Sequence, residues 1–198
     1  MNKTIQLLMW SDIFMLTGFG LVDPILAIYI KDNLEGGTVF SAAVCSTLFL
    51  LVKSLVQLPF SKYIDKHKAD HDLKWLIAGS LLITLVPFFY IFSYSVFHIY
   101  IAQIIHGVGS GLAYSAWLGI WSVSLDKNKE SFEWSLYSTL VGLGTALTAI
   151  IGGYLSEFIG FKLTFAFVGI LSLVGCGILF FLLENKKKQL EKIVVDTT

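Results

Sequence analysis

Residues 163–183 read LTFAFVGILSLVGCGILFFLL, an unbroken run without a charged side chain, closed by Glu184 and then by Lys186, Lys187 and Lys188. A helix needs roughly 20 predominantly apolar residues to cross the hydrocarbon core of a bilayer, so this run reads as a membrane span with a polar flank. It shows no apolar–polar alternation, which argues against the strand of a membrane barrel. Moving outward from it, similar runs define spans at about 6–30, 38–60, 73–94, 97–123, 135–158 and 162–183. The composition agrees, with 56% hydrophobic and 14% charged residues and a mean hydropathy of +0.76, outside the range of a soluble domain. The expectation is an all-α polytopic bundle of six transmembrane helices, forming one domain over residues 1–198. The first apolar run is too long for a removed signal peptide and lacks a small-residue cleavage pattern, so it is counted as a span.

The charges are segregated. Every basic residue apart from histidine is lysine, and Lys3, Lys62, Lys66, Lys68, Lys74, Lys127, Lys129 and the four tail lysines 186, 187, 188 and 192 fall on one side of a six-span bundle. Lys31 and Lys162 fall on the other, and Lys53 lies within a span. The positive-inside rule therefore places both termini in the cytoplasm of a protein integral to the cell membrane. Trp10, Trp75 and Trp134 stand near that same face, where interfacial aromatics belong. A formal net charge of zero argues against nucleic acid as a partner. Cys45 and Cys176 lie inside apolar runs and read as small hydrophobes, neither a disulfide nor a ligand pair. No metal-ligand spacing, cofactor motif or nucleophile–base constellation is present, so no enzymatic activity is expected.

Four motifs narrow the fold further. Between the second and third spans stands Ser61-Lys62-Tyr63-Ile64-Asp65-Lys66-His67-Lys68. The fourth span holds Gln103-Ile104-Ile105-His106-Gly107-Val108-Gly109-Ser110-Gly111, in which Gly107 and Gly111 form a small-xxx-small face for close helix packing. The fifth holds Gly142-Leu143-Gly144 and later Ile151-Gly152-Gly153-Tyr154-Leu155, and Phe158-Ile159-Gly160-Phe161-Lys162 leads into the sixth. In order and spacing these resemble the loop signature, the glycine-rich fourth and fifth helices and the start of the sixth helix of one half of a major facilitator superfamily transporter. Gln103 stands where the family usually has arginine, Ser61 where it has glycine, and Ala149 near the place of a proline. The resemblance implies two inverted three-helix repeats, and Ser61-Lys62-Tyr63-Ile64 is echoed by Ser156-Glu157-Phe158-Ile159. It also implies that Asp65, with Lys66, is a conformational latch at a helix end, and that Gly107, Gly111, Gly144, Gly152 and Gly153 pack helices.

Ionisable groups inside a span are costly and mark function by default. They are Asp12, Asp23, Lys53 and His106. Asp23 and His106 fall at a similar depth on the first and fourth spans, which line the central cavity in the family the chain resembles. With Gln103 they form the expected proton-coupling and substrate site, a carboxylate and an imidazole being the groups a relay needs. The alternative is that each is satisfied locally. Pro24, next to Asp23, is expected to bend the first helix. Asp12 and Lys53 share another depth and are expected to form an intramembrane ion pair. Tyr114, Trp117 and Trp121 recur at helical spacing and read as cavity wall or as core and lipid contacts. These readings converge on a secondary transporter of a small molecule, working by alternating access and coupled to protons. Six helices make half of a two-sided cavity, so a parallel homodimer in membrane lipid is expected. The alternatives are a half that needs a separate partner polypeptide and a membrane module that does not transport.

Overall fold

The structure, a computed structural model, describes the backbone at residues 1–66 and 69–196 and the side chains at 1–66 and 71–184. His67 and Lys68 of the loop signature and the side chains of the lysine tail lie outside those described residues. Seven helices follow one another: α1 (Lys3–Gly20), α2 (Asp23–Asn33), α3 (Val39–Ile64), α4 (Ala69–Ile91), α5 (Val96–Ser124), α6 (Glu130–Phe158) and α7 (Phe161–Asp196). Together α1 and α2 make one crossing, Lys3–Asn33, so that six segments are long and apolar enough to span a bilayer.

The first crossing is broken, not merely bent, and the reason is chemical. Pro24 has no N–H to return to the carbonyl of Gly20, and the helix must yield at that point. The amides of Leu21 and Val22 turn back to the carbonyls of Gly18 and Phe19 at 3.1 and 2.8 Å, tightening the last turn of α1. A new helix then opens at Asp23, whose carboxylate complements the positive end of α2. Pro59 and Pro87 lie inside helices without ending them. As a result α3 runs to Ile64, four residues beyond the apolar run that marked it. The helix begins with a capping box, in which the Thr38 side chain accepts from the Ser41 amide at 3.0 Å and the Ser41 hydroxyl from the Thr38 amide at 2.8 Å.

Packing follows an internal symmetry. α3 and α4 both lie along α5, α1 lies along α6 and α7, and α4 meets α7. Exchanging the first three crossings for the last three maps the α3–α5 pair onto the α6–α1 pair, and the α4–α5 pair onto the α7–α1 pair. This is the contact pattern of two three-helix repeats, and the echoed tetrapeptides sit at the ends of α3 and α6. Small residues bring the backbones together: a Cβ on Gly107 or Gly111 would stand 2.8 Å from the Cβ of Val52 or Val56 on α3. Gly79 and Gly109 do the same between α4 and α5, where a Cβ on Gly79 would lie 2.6 Å from the Gly109 carbonyl.

Two apolar clusters fill the ends of the bundle. One gathers Tyr29, Ile30, Tyr90, Val96 and Phe165 at the end away from the N-terminus. The other gathers Ile5, Leu8, Leu73, Trp121 and Leu179 at the amino-terminal end. Between them the packing opens.

Candidate functional site

The opening is a cavity of about 420 Å³ at mid-bundle, lined by residues of α1 to α6. Asp12, Asp23, Lys53 and His106 all line it. Four ionisable groups scattered over almost a hundred residues of sequence thus face one space at membrane depth. Such groups are tolerated in a bilayer when they face the bundle interior or a polar cavity.

Each is held differently. His106, on α5, lies between two phenyl rings, with centroids 4.6 Å from Phe19 and 4.4 Å from Phe49. Asp23 stands exposed on the cavity side of the helix break. Asp23 and His106 therefore share the cavity, and among the described residues no hydrogen bond joins them. Asp12, on α1, accepts a hydrogen bond from the Tyr137 hydroxyl of α6 at 2.8 Å. Lys53, on α3, points its ammonium over the rings of Tyr114 and Phe49, at 5.0 and 5.9 Å from their centroids. The cation–π contact supplies part of the electrostatic stabilisation that water no longer gives.

Two expectations about the polar groups need correction. Asp12 and Lys53 do not form an ion pair: no ion pair of either group is found among the described residues, and the Asp12 carboxylate is held by Tyr137 instead. Gln103 does not reach the cavity. It is buried in the helix packing one turn before Gly107, and its side-chain carbonyl has no hydrogen-bond partner. Tyr114 and Trp117 line the cavity, stacked with an interplanar angle of 5°. Trp121 is buried beside Trp117, with centroids 4.7 Å apart.

Asp65 caps α3, exposed, at the amino-terminal end of the bundle, and Lys66 follows it in the turn. Asp65 borders a surface groove shared with Ser61, Asp72, Ser115 and Gly119. The hydroxyls of Ser61 and Ser115 are 3.0 Å apart, and Ser115 also donates to the Gln57 carbonyl at 3.0 Å, so the start of the loop signature is tied to α5. Of the remaining glycines singled out, Gly144 packs against the Thr17 side chain and Gly152 against the Leu21 backbone carbonyl, both on the first crossing. Gly153 departs from the expected packing role: it faces open space, with nothing within 4 Å of where a Cβ would stand, because it lies on the side of α6 turned away from the first crossing.

Tyr137, Phe19 and Phe49 went unnoticed in the sequence. Nothing local marks them, because their roles come from partners on other helices.

Comparison with known proteins agrees with this arrangement. Residues 8–196 match the family model of the Major Facilitator Superfamily. An MFS-type transporter of Methanocaldococcus jannaschii is 23% identical over 197 residues, covering 96% of this chain and 49% of its own length. The quinolone resistance protein NorA of Staphylococcus aureus is 24% identical over 190 residues, covering 95% of this chain and 47% of its own. The chain spans about half the length of the curated relatives it matches. By its family model, its six spans and its repeat packing, the chain belongs to the Major Facilitator Superfamily.

Proposed function

We propose that this chain is a secondary transporter that moves a small molecule across the membrane by alternating access, with proton movement coupled through Asp23 and His106. The observation that carries the reading is the single cavity that collects Asp12, Asp23, Lys53 and His106 from four helices. A membrane-depth cavity lined by charge has to be shielded from lipid, by protein or by the water it holds. α3 and α6, which border it, are the least buried crossings, with 17% and 6% of their apolar windows buried. A second copy laid against them in parallel, about an axis along the membrane normal, would close the cavity from the other side. The lysine distribution supports a cell-membrane protein with both termini in the cytoplasm. The half-length coverage of the relatives favours one further reading, in which a separate polypeptide supplies the second half.

Native mass spectrometry of the chain in lipid nanodiscs tests the assembly, and pH-driven uptake into proteoliposomes tests the activity. A dimer with uptake that Asp23→Asn and His106→Gln each abolish is the expected result. A stable monomer retires the homodimer, and coupling unchanged in both variants retires the relay.

A further inference from the structure

Lys53 is the unresolved group of the cavity. It sits at about 16 Å from the Ile64 end of α3 and about 21 Å from its Val39 end, close to mid-span. Its ammonium has aromatic faces beside it but no carboxylate within salt-bridge distance among the described residues. Asp12, the carboxylate expected at the same depth, accepts its hydrogen bond from Tyr137. A lysine side chain normally escapes such a position by snorkelling to the interface, but this ammonium stays half-buried over Tyr114 and Phe49 on the cavity wall. Asp12 and Asp23 line the same cavity, but among the described residues neither lies within ion-pair distance of this ammonium, and a cation so held is a site that a ligand's anion completes.

The surroundings say what else the ligand needs. Tyr114, under the Lys53 ammonium, lies parallel to Trp117 with centroids 6.1 Å apart, and both rings line the cavity. Leu16, Met15 and Ile83 add apolar wall. A pocket of this kind, mostly apolar with a few placed polar groups, binds a compact amphiphile by its hydrophobic body and orients it by its polar head. Resting on the reading of this cavity as the substrate chamber, we infer that Lys53 receives the acidic group of an aromatic organic acid whose ring lies against Tyr114 and Trp117. The acidic headgroup of a lipid offers the same chemistry, but would have to be drawn from the interface to mid-span to meet Lys53.

The test compares two probes with the same ring and opposite charge, 1-naphthoate and 1-naphthylmethylammonium. Binding of each radiolabelled probe is measured by scintillation proximity to the full chain in phosphatidylcholine nanodiscs. Naphthoate should bind more tightly than the ammonium probe. Lys53→Met should weaken naphthoate by about tenfold or more, the scale of losing one partner of a desolvated charge pair. Lys53→Arg should stay close to wild type, and the ammonium probe should bind Lys53→Met no more weakly than wild type, which separates loss of the site from loss of the fold. Preference for the ammonium probe, absence of naphthoate binding, or equal naphthoate binding by Lys53→Met overturns the proposal. Displacement of naphthoate by phosphatidylglycerol in the nanodisc but not by free benzoate also overturns it, assigning the anion to lipid. Because binding is read without flux, the two readings fail separately. Lys53-dependent binding with no uptake removes transport alone, and uptake with no Lys53-dependent binding removes the acid site alone.

Discussion

α5 and α6 are each 29 residues long and similarly apolar, yet 44% of the apolar stretch of α5 is buried and only 6% of that of α6. Length and hydropathy decide that both cross the membrane. They do not decide what either touches. Lipid tails are as apolar as leucine, so in a bilayer there is no hydrophobic penalty for leaving a helix on the outside. What sets the two apart is where small residues permit backbone contact. On α5, Gly107 and Gly111 face α3 and Gly109 faces α4, so two neighbours lie against it. On α6, Gly144 and Gly152 face the first crossing, while Gly142 and Gly153 look into open space.

The largest expected effect would break this contrast directly. Gly107→Leu drives a side chain into Val52 and the Phe49 carbonyl, 2.8 and 2.9 Å from the position of the Cβ alone. It should cost at least the roughly 1–3 kcal/mol of overpacking, because backbone rather than a flexible side chain must move. Gly153→Leu on the open face of α6 should change the stability of the bundle by less than about 0.5 kcal/mol. Thermal unfolding of both variants in detergent checks the pair, and a similar loss for each would remove the distinction. If a second copy covers α6, Gly153→Leu should also lower the dimer fraction in nanodiscs.

A smaller effect would sharpen the comparison at the polar tie between α1 and α6. Tyr137→Phe removes the donor to Asp12. It should lower stability by about 1 kcal/mol, since interhelical hydrogen bonds in bilayers contribute modestly. In the same unfolding assay Tyr137→Phe and Asp12→Leu should be non-additive, because each removes one partner of the shared contact. Full additivity would mean that the two side chains act independently.

The smallest effect lies outside the membrane. In the turn between α5 and α6, Asp126 pairs with the amino-terminal ammonium of Met1 at 2.8 Å. The hydrogen bond from that ammonium holds the Asp126 carboxyl below the usual carboxylate range. A carboxyl lowered in this way keeps its contact above the ordinary carboxylate range and loses it as the pH falls through the lowered value. A spin label on Thr4→Cys should therefore keep constant mobility from neutral pH down to the ordinary carboxyl value of about 4 and become more mobile only below it. With Asp126→Asn it should be mobile throughout, and an unchanged spectrum would show that the start of α1 is held by its packing alone.

The contrast between α5 and α6 also marks how far the sequence could be read. The six crossings were legible because the requirement is local: in hydrocarbon each backbone polar group must be satisfied within its own helix, and the apolar run has to be long enough to reach across. Pro24 and Asp23 announced a disturbance in the first crossing for an equally local reason, the missing amide. The end of α3 was not legible, because Ser61, Lys62, Tyr63 and Ile64 continue the helix past Pro59 as a mixed polar and apolar turn, and the burial of Ile64 that holds it comes from partners on other helices.

The site was half-legible. That Asp12, Asp23, Lys53 and His106 were costly and worth following came from their depth in the chain, and they do line one cavity. Which of them pair did not follow. Depth gives one coordinate of a side chain, and the rotation of its helix about the axis gives the others. Asp12 and Lys53 share a depth, but Tyr137, from a helix 125 residues further along, takes the carboxylate. Gln103 had the right register on the right helix, and its position on the packed face put it out of the cavity.

The sequence by itself determined that the chain is a six-crossing membrane bundle, how its charges are divided between the two sides and which ionisable groups lie within the bilayer, since each depends on composition along the chain. Only the tertiary structure decided that Asp12 belongs to Tyr137, that Lys53 has no carboxylate within ion-pair distance among the described residues and that α3 and α6 are the least covered crossings. Those outcomes depend on how neighbouring helices are rotated and how closely they approach, and apolarity that is nearly uniform around each helix does not specify either.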